Sequence, residues 1–248
     1  MRAGSYKVTT NNYIFDLNVL KMQTYYNIYF GDPNHMDGAC VELSYDTDQE
    51  ETLKLDSVTF DKRCSKDKQL EKGKGTQEMV KAILKICVDA FPKVKRVVLN
   101  DVSSFECNGK DVWLFYYYLM LHGSTWYELQ FGAKIVDKHT KIKIDQMKEL
   151  LLCKPKRSVF SFYEGKSRDS AVTFETWHDY FKAKPCAFFL QHQKEFERKL
   201  GVKLVYSTWK IKVSTIRKYN IVVSISKTKK LSRQNGGYYP AKHCIHSD

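Results

Sequence analysis

The sequence contains no apolar run approaching the ~20 residues that a helical membrane span needs, so no transmembrane segment is expected among these residues. The first ten residues, MRAGSYKVTT, lack the apolar stretch of a secretory signal. Cysteine is present seven times, at 40, 64, 87, 107, 153, 186 and 244, but no two form a C-x-x-C pair. An odd number of scattered cysteines disfavours a disulfide framework and a zinc ribbon, and predicts free thiols in a reducing compartment. The expectation is therefore a cytoplasmic protein. The tail HCIH, from His243 to His246, offers three potential ligands on a chain end, and no metal site is expected from it. Two phosphate-binding spellings are also missing: G-x-x-x-x-G-K-[ST] and G-x-G-x-x-G.

Acidic residues are scarce in one half only. Residues 1–130 hold 16 Lys and Arg against 18 Asp and Glu, whereas residues 131–248 hold 25 against 10. The back half, at a balance of +15, projects a positive field toward acidic partners. Nucleic acid, an anionic membrane and an acidic protein surface all fit that field, and so does a plainly solvated basic surface. The aromatic content of 14% predicts an interior or a partner surface rich in rings.

The chain is long enough, at 248 residues, to bury a core without staples. Its first sixty residues alternate with period two. In TLKLDSVTF, Leu53 and Leu55 oppose Lys54 and Asp56, and the turn cluster GDPNHMDG interrupts the strands. This predicts an antiparallel meander with one buried face. The period then changes. From Thr76 to Phe91, Met79, Val80, Ile83, Leu84, Ile86 and Cys87 fall at helical spacing, with Thr76 as N-cap and Pro92 at the end. VKRVVLND follows as a strand, so the strands flanking this helix are expected to be parallel. DVWLFYYYLMLHG reads as a buried helix ending at Gly123, with Trp113, Tyr116, Tyr117 and Tyr118 in the core. A short helix, TWYELQF, is expected between Ser124 as N-cap and Gly132 in the left-handed conformation. AKIVD is a strand, IDQMKELLLCK a helix, and RSVFSFYE a strand. TFETWHDYFKAK and CAFFLQHQKEFERKLG are two helices divided near Pro185. VKLVYSTWKIKVS and YNIVVSIS close the chain as strands, before a basic tail that is expected to order on a partner.

The stretch LEKGKGTQEMVKAILKICV, residues 70–88, places two glycines among lysines directly before the helix. A helix start presents unpaired backbone N–H groups and the positive end of the macrodipole, which makes it a physical anion site. The order of antiparallel strands, glycine loop, helix, strand, helix and strand, with KGKGTQEMVKAIL at its centre, resembles the GNAT superfamily of N-acetyltransferases. The family's loop reads [QR]-x-x-G-x-[GA]. Lys72 stands at its first position, Gly75 matches the glycine, and Gln77 replaces the final Gly or Ala. TWYELQFGAKI is similar to the family's second signature, a tyrosine-bearing helix before a strand. More narrowly, KGKGT, LNDVSSFEC and YYYLMLHGSTWYE resemble GNAT-like proteins of large cytoplasmic DNA viruses. The likeness covers about residues 50–137.

The resemblance implies an α+β fold: a GNAT-like mixed, mainly antiparallel sheet flanked by helices over residues 1–138. A basic α/β extension over 139–226, of the same or a second domain, and a basic tail over 227–248 would follow. It implies that Lys72, Gly73, Lys74, Gly75, Thr76, Gln77 and Asn100 hold acetyl-CoA. Tyr127, or alternatively Tyr118, would be the acid at the departing thiolate. Asp56 would be the base, although its position also suits a solvent-facing strand residue. Asn100 and Asp101 would border the cofactor cleft or simply cap a strand end. Two functions follow: an acyl-CoA-dependent N-acetyltransferase, or a non-catalytic viral structural protein assembled into a larger particle, in host cytoplasm or virion. A third is nucleic-acid binding through residues 139–248, suggested by the interleaved rings and cations of YSTWKIKVSTIRKYN.

Overall fold

The computed structural model describes residues 1–31, 39–100, 104–155, 174–200 and 207–228. A mixed sheet of nine strands forms its centre. Strands β1 (Gly4–Thr9), β2 (Ile14–Met22), β3 (Tyr25–Phe30), β4 (Val41–Asp46) and β5 (Thr52–Val58) run antiparallel in sequence order. Their alternation decides which face is buried. Phe15, Leu17, Ile28, Phe30, Val41, Leu43, Leu53 and Leu55 all lie on one side, each at most 3% exposed. A one-residue slip would turn this whole set outward, so the pattern fixes the register.

Helix α1 (Lys74–Ala90) crosses from β5 to β6 (Arg96–Asn100), and β6 pairs with β5 in parallel, as the change of period predicts. Met79, Val80, Ile83, Leu84, Ile86 and Cys87 are buried against the sheet. The helix start differs from the expectation. Its N-cap is Gly73 rather than Thr76, and no side chain caps it. Gly73 has φ 84° and ψ −83°, a turn that β-carbon-bearing residues resist, and the helix therefore begins earlier. Thr76 is buried within the first turn.

A hairpin of β7 (Ser104–Cys107) and β8 (Lys110–Trp113) leads into α2 (Leu114–His122). The expected helix is thus shorter by its first residues, which pair in the hairpin instead. Gly123 and Gly132 both adopt φ 64°, ending α2 and α3 (Trp126–Phe131) as expected. The N-cap of α3 is Thr125, not Ser124. Thr125 accepts from the Glu128 amide while Glu128 reaches back to the Thr125 amide, a reciprocal capping box.

Residues beyond 138 complete the same sheet. After β9 (Lys134–Ile135) come α4 (Lys138–Leu151), α5 (Trp177–Lys182) and α6 (Cys186–Leu200). Then β10 (Thr208–Lys212) inserts between β6 and β9, α7 (Val213–Ile216) follows, and β11 (Ser224–Lys227) pairs with β1. One contiguous core runs from Val8 to Ile221 and includes Trp177, Phe181 and Trp209. The expected strand RSVFSFYE, Asp101, and the tail from residue 229 lie outside the described residues. Lys227, expected in the tail, pairs opposite Tyr6 in the sheet.

The expectation of free thiols is corrected. Cys40 bonds to Cys64, with Cα atoms 5.8 Å apart, and Cys107 bonds to Cys186, with Cα atoms 6.1 Å apart. Scatter in sequence says little about distance in space. The Cys40–Cys64 bridge joins the start of β4 to the loop after its neighbour β5. The Cys107–Cys186 bridge joins the hairpin to the first residue of α6. Cys87 and Cys153 are free thiols. This pairing removes the argument on which the reducing-compartment expectation rested. No helix among the described residues is long and apolar enough to cross a membrane.

Candidate functional site

Among the described strands of the sheet, β5–β6 is the one pair whose neighbours run in the same direction. Pairing runs from Thr52↔Arg96 to Leu55↔Leu99 and stops. Beyond it, β5 continues to Val58 against β4, while Asn100 pairs on its other side with Thr208. The carboxyl ends of the two parallel strands therefore part, with a crossover helix joining them. Ligands of open α/β sheets gather at such ends.

A bulge marks the point of parting. Leu43 opposes Leu55 and Glu42 opposes Ser57, which leaves Asp56 as the extra residue on β5. Bulges re-aim side chains and recur beside active sites. Asp56 Oδ1 receives Lys54 Nζ at 2.7 Å. Its Oδ2 is buried without a hydrogen-bond partner. The Asp56 carboxylate, through that hydrogen bond first, raises the Lys54 ammonium above its ordinary value. On the neighbouring strands Asn27 Nδ2 donates to Glu42 Oε1 at 2.6 Å, and Asn27 Oδ1 is a second buried, unpartnered acceptor. Sequence reasoning singled out Asp56 but missed Asn27, Glu42 and Lys54. Their signal was available: they are polar positions on the non-core phase of the alternation. Asn100 Oδ1 accepts from Thr208 Oγ1 at 3.0 Å across the β6–β10 pair.

The glycine loop is held by the N-terminal strands. Glu78 accepts from Thr10 Oγ1 at 2.5 Å and from the amide and side chain of Asn12 at 3.0 and 2.7 Å. A β-carbon on Gly75 would stand 2.8 Å from Leu70 Cδ1 and 3.1 Å from the Tyr13 hydroxyl. Gly75 is thus required by close packing. Its amide donates to the Glu71 carbonyl at 3.0 Å, and the Gln77 amide donates to Gly73 at 2.9 Å. Around Gly73 the space is open, and a β-carbon there would meet nothing within 4 Å. Lys72 Nζ lies 5.9 Å from the centre of the Phe105 ring, and Lys74 opens the helix.

No family model, curated protein or solved structure matches the chain. The two tyrosines weighed for the acid belong to α3 and α2, not to the strands that form the bulge. Tyr127 is 5% exposed and packs edge-on against Trp126 at 4.9 Å. It belongs to α3, which feeds β9, and β9 stands three strand intervals from β5, about 14 Å. Tyr118 is half-buried beside His122, and burial raises its hydroxyl above the ordinary value. Trp209, read in sequence as a possible stacking ring, is fully buried opposite Leu99 and Ile135. A shallow cavity of about 470 Å³ opens elsewhere, lined by residues 47–52 and Arg96. No group of three or more metal-ligating side chains occurs among the described residues.

Proposed function

We propose that the chain is a GNAT-like protein that takes acyl-CoA at the carboxyl ends of β5 and β6 and transfers the acyl group to an amine. The observation that carries this reading is the parted parallel pair, with α1 crossing between its strands and the bulge at Asp56 where they separate. In this reading the acyl chain lies along the unpaired edge of β5. Lys72, Lys74 and the remaining first-turn amides of α1 meet the phosphates, and Asn100 borders the cleft from β6. Asp56 accepts the proton that the attacking amine loses. Tyr127 is buried among Trp126 and Phe131, so acid catalysis at the thiolate falls to it only if α3 shifts.

A second reading is supported by a specific observation. The glycine loop is filled by its own chain, since Leu70 and Tyr13 pack on Gly75 and the Gly75 amide is bonded internally. A non-catalytic structural role, in a viral particle or another assembly, would need no more than this.

Acetyl-CoA decides between the two. At about 100 times its dissociation constant a ligand adds about 2.7 kcal/mol to stability, which is roughly 5–11 °C of melting temperature for a chain of this size. A shift of that order, lost in Gly73→Val, supports the cofactor site. Release of coenzyme A in the presence of an amine acceptor then separates turnover from binding. An unchanged melt at millimolar acetyl-CoA rejects the first reading and leaves the structural one.

A further inference from the structure

The outer face of β9, β10 and β6 carries a group of cations. Lys134 on β9 stands directly opposite Lys210 on β10, and Lys212 on β10 stands directly opposite Arg96 on β6. Directly opposed residues share a face, and their neighbours Ile135, Trp209, Ile211, Val97 and Leu99 are the buried set. The four cations therefore project together from the other face, about 4.8 Å apart across the strands and roughly 6.8 Å apart along β10. Lys134, Arg96 and Lys212 are exposed and Lys210 is half-buried.

Like charges directly opposite one another destabilise a sheet, and here two such pairs are adjacent. Among the described residues no carboxylate forms an ion pair with Lys134, Lys210 or Lys212. Arg96 donates to Thr52 Oγ1 at 3.1 Å and lies near Glu51, which is itself bonded to Lys95. The three lysines thus form a ledge whose repulsion no carboxylate among the described residues relieves.

We propose that this ledge binds the phosphate backbone of duplex nucleic acid, independently of the acyl-CoA reading. The chemistry of the face selects that occupant. A protein partner needs a desolvated apolar or aromatic anchor, and this face offers only half-buried Val98 between its cations. A single strand needs exposed rings on which bases stack. The sole aromatic residue of these three strands, Trp209, points into the core. A regular row of phosphates requires neither. The excess of +15 over residues 131–248 supplies the long-range field that brings such a partner in.

The test uses the full chain and a fluorescein-labelled 20-base-pair duplex of arbitrary sequence, read by fluorescence anisotropy between 50 and 200 mM salt. Lys134→Gln/Lys210→Gln/Lys212→Gln removes three phosphate contacts. Its plot of log affinity against log salt is expected to be shallower than wild type by about 2.7, which is three contacts at about 0.9 each. Affinity at 50 mM salt is expected to fall at least about tenfold. The variant should melt no lower than wild type, because it removes two like-charge pairs. An unchanged slope and affinity in the variant overturns the proposal and assigns any binding to other basic segments. Absence of duplex binding in wild type, or binding of poly-glutamate through these lysines without duplex binding, overturns it in favour of an acidic protein or no partner.

Discussion

Removing the two disulfides gives the sharpest prediction. In loop-closure terms a bridge restricts the unfolded chain by an amount that grows with the logarithm of the loop it closes. Cys40–Cys64 spans 24 residues and Cys107–Cys186 spans 79, which correspond to about 3.5 and about 4.5 kcal/mol. The two loops do not overlap in sequence, so their contributions add to first order. Their sum, about 8 kcal/mol, matches the whole stability of many domains. Reduction is therefore expected to lower the urea midpoint strongly or to unfold the chain. Cys40→Ala/Cys64→Ala and Cys107→Ala/Cys186→Ala are each expected to lose at least about 2 kcal/mol, the second pair more. Thiol titration in denaturant should find four fewer reactive groups without reductant than with it. In the native protein exposed Cys153 should react readily. Buried Cys87 should not, because desolvation holds its thiol protonated. Equal midpoints with and without reductant, with all cysteines titrating at once, would refute the pairing.

Four further outcomes are expected. Gly75→Val forces side-chain atoms into Leu70 and the Tyr13 hydroxyl and should cost about 1–3 kcal/mol by overpacking. Gly73→Ala meets open space but holds φ 84°, so its cost of about 1–3 kcal/mol is backbone strain; a urea midpoint unchanged in Gly75→Val contradicts the packing account. Thr125→Ala removes the fully buried cap of α3 and should lose about 1 kcal/mol, read in the same assay. The Asp61 carboxyl is held down to about 2, first by the Arg63 side-chain hydrogen bond. A depressed carboxyl stabilises the fold above its unfolded value of about 3.8, and that contribution disappears as pH falls through about 2. The pair is exposed, so solvent screens most of its effect, and a carboxyl titration followed by NMR that finds Asp61 near 4 removes it.

The parts of the fold legible in the sequence are those set by local period. The meander, α1 and the parallel β5–β6 pair follow from a switch between period two and helical spacing, and Gly123 and Gly132 mark their helix ends by conformation alone. Strand order was not legible beyond this. Nothing local tells Thr208–Lys212 to insert between β6 and β9, or Ser224–Lys227 to join β1, because those pairings are decided by which edges remain open. The disulfides were hidden for the same reason. YSTWKIKVS looks like a stacking platform because rings alternate with lysines, but a half-buried strand produces the same pattern, and Trp209 is turned inward. At the candidate site, Asp56 was visible as a polar strand residue. The bulge that distinguishes it arises from the mismatch between β4 and β5, which one strand's sequence cannot contain.

The pairing of the last described strand with the first has a consequence for synthesis. Tyr6 meets Lys227 in the finished sheet. At about 5–20 residues per second, ribosomal elongation leaves the outer edge of β1 waiting roughly 10–45 s for its neighbour. Throughout that interval an open row of backbone donors and acceptors faces the surroundings of the nascent chain. Lys7 lies near the middle of this strand, and a charge there discourages foreign strands from taking the vacant edge. The nascent sheet thus keeps its first edge in reserve until Ser224–Lys227 has emerged.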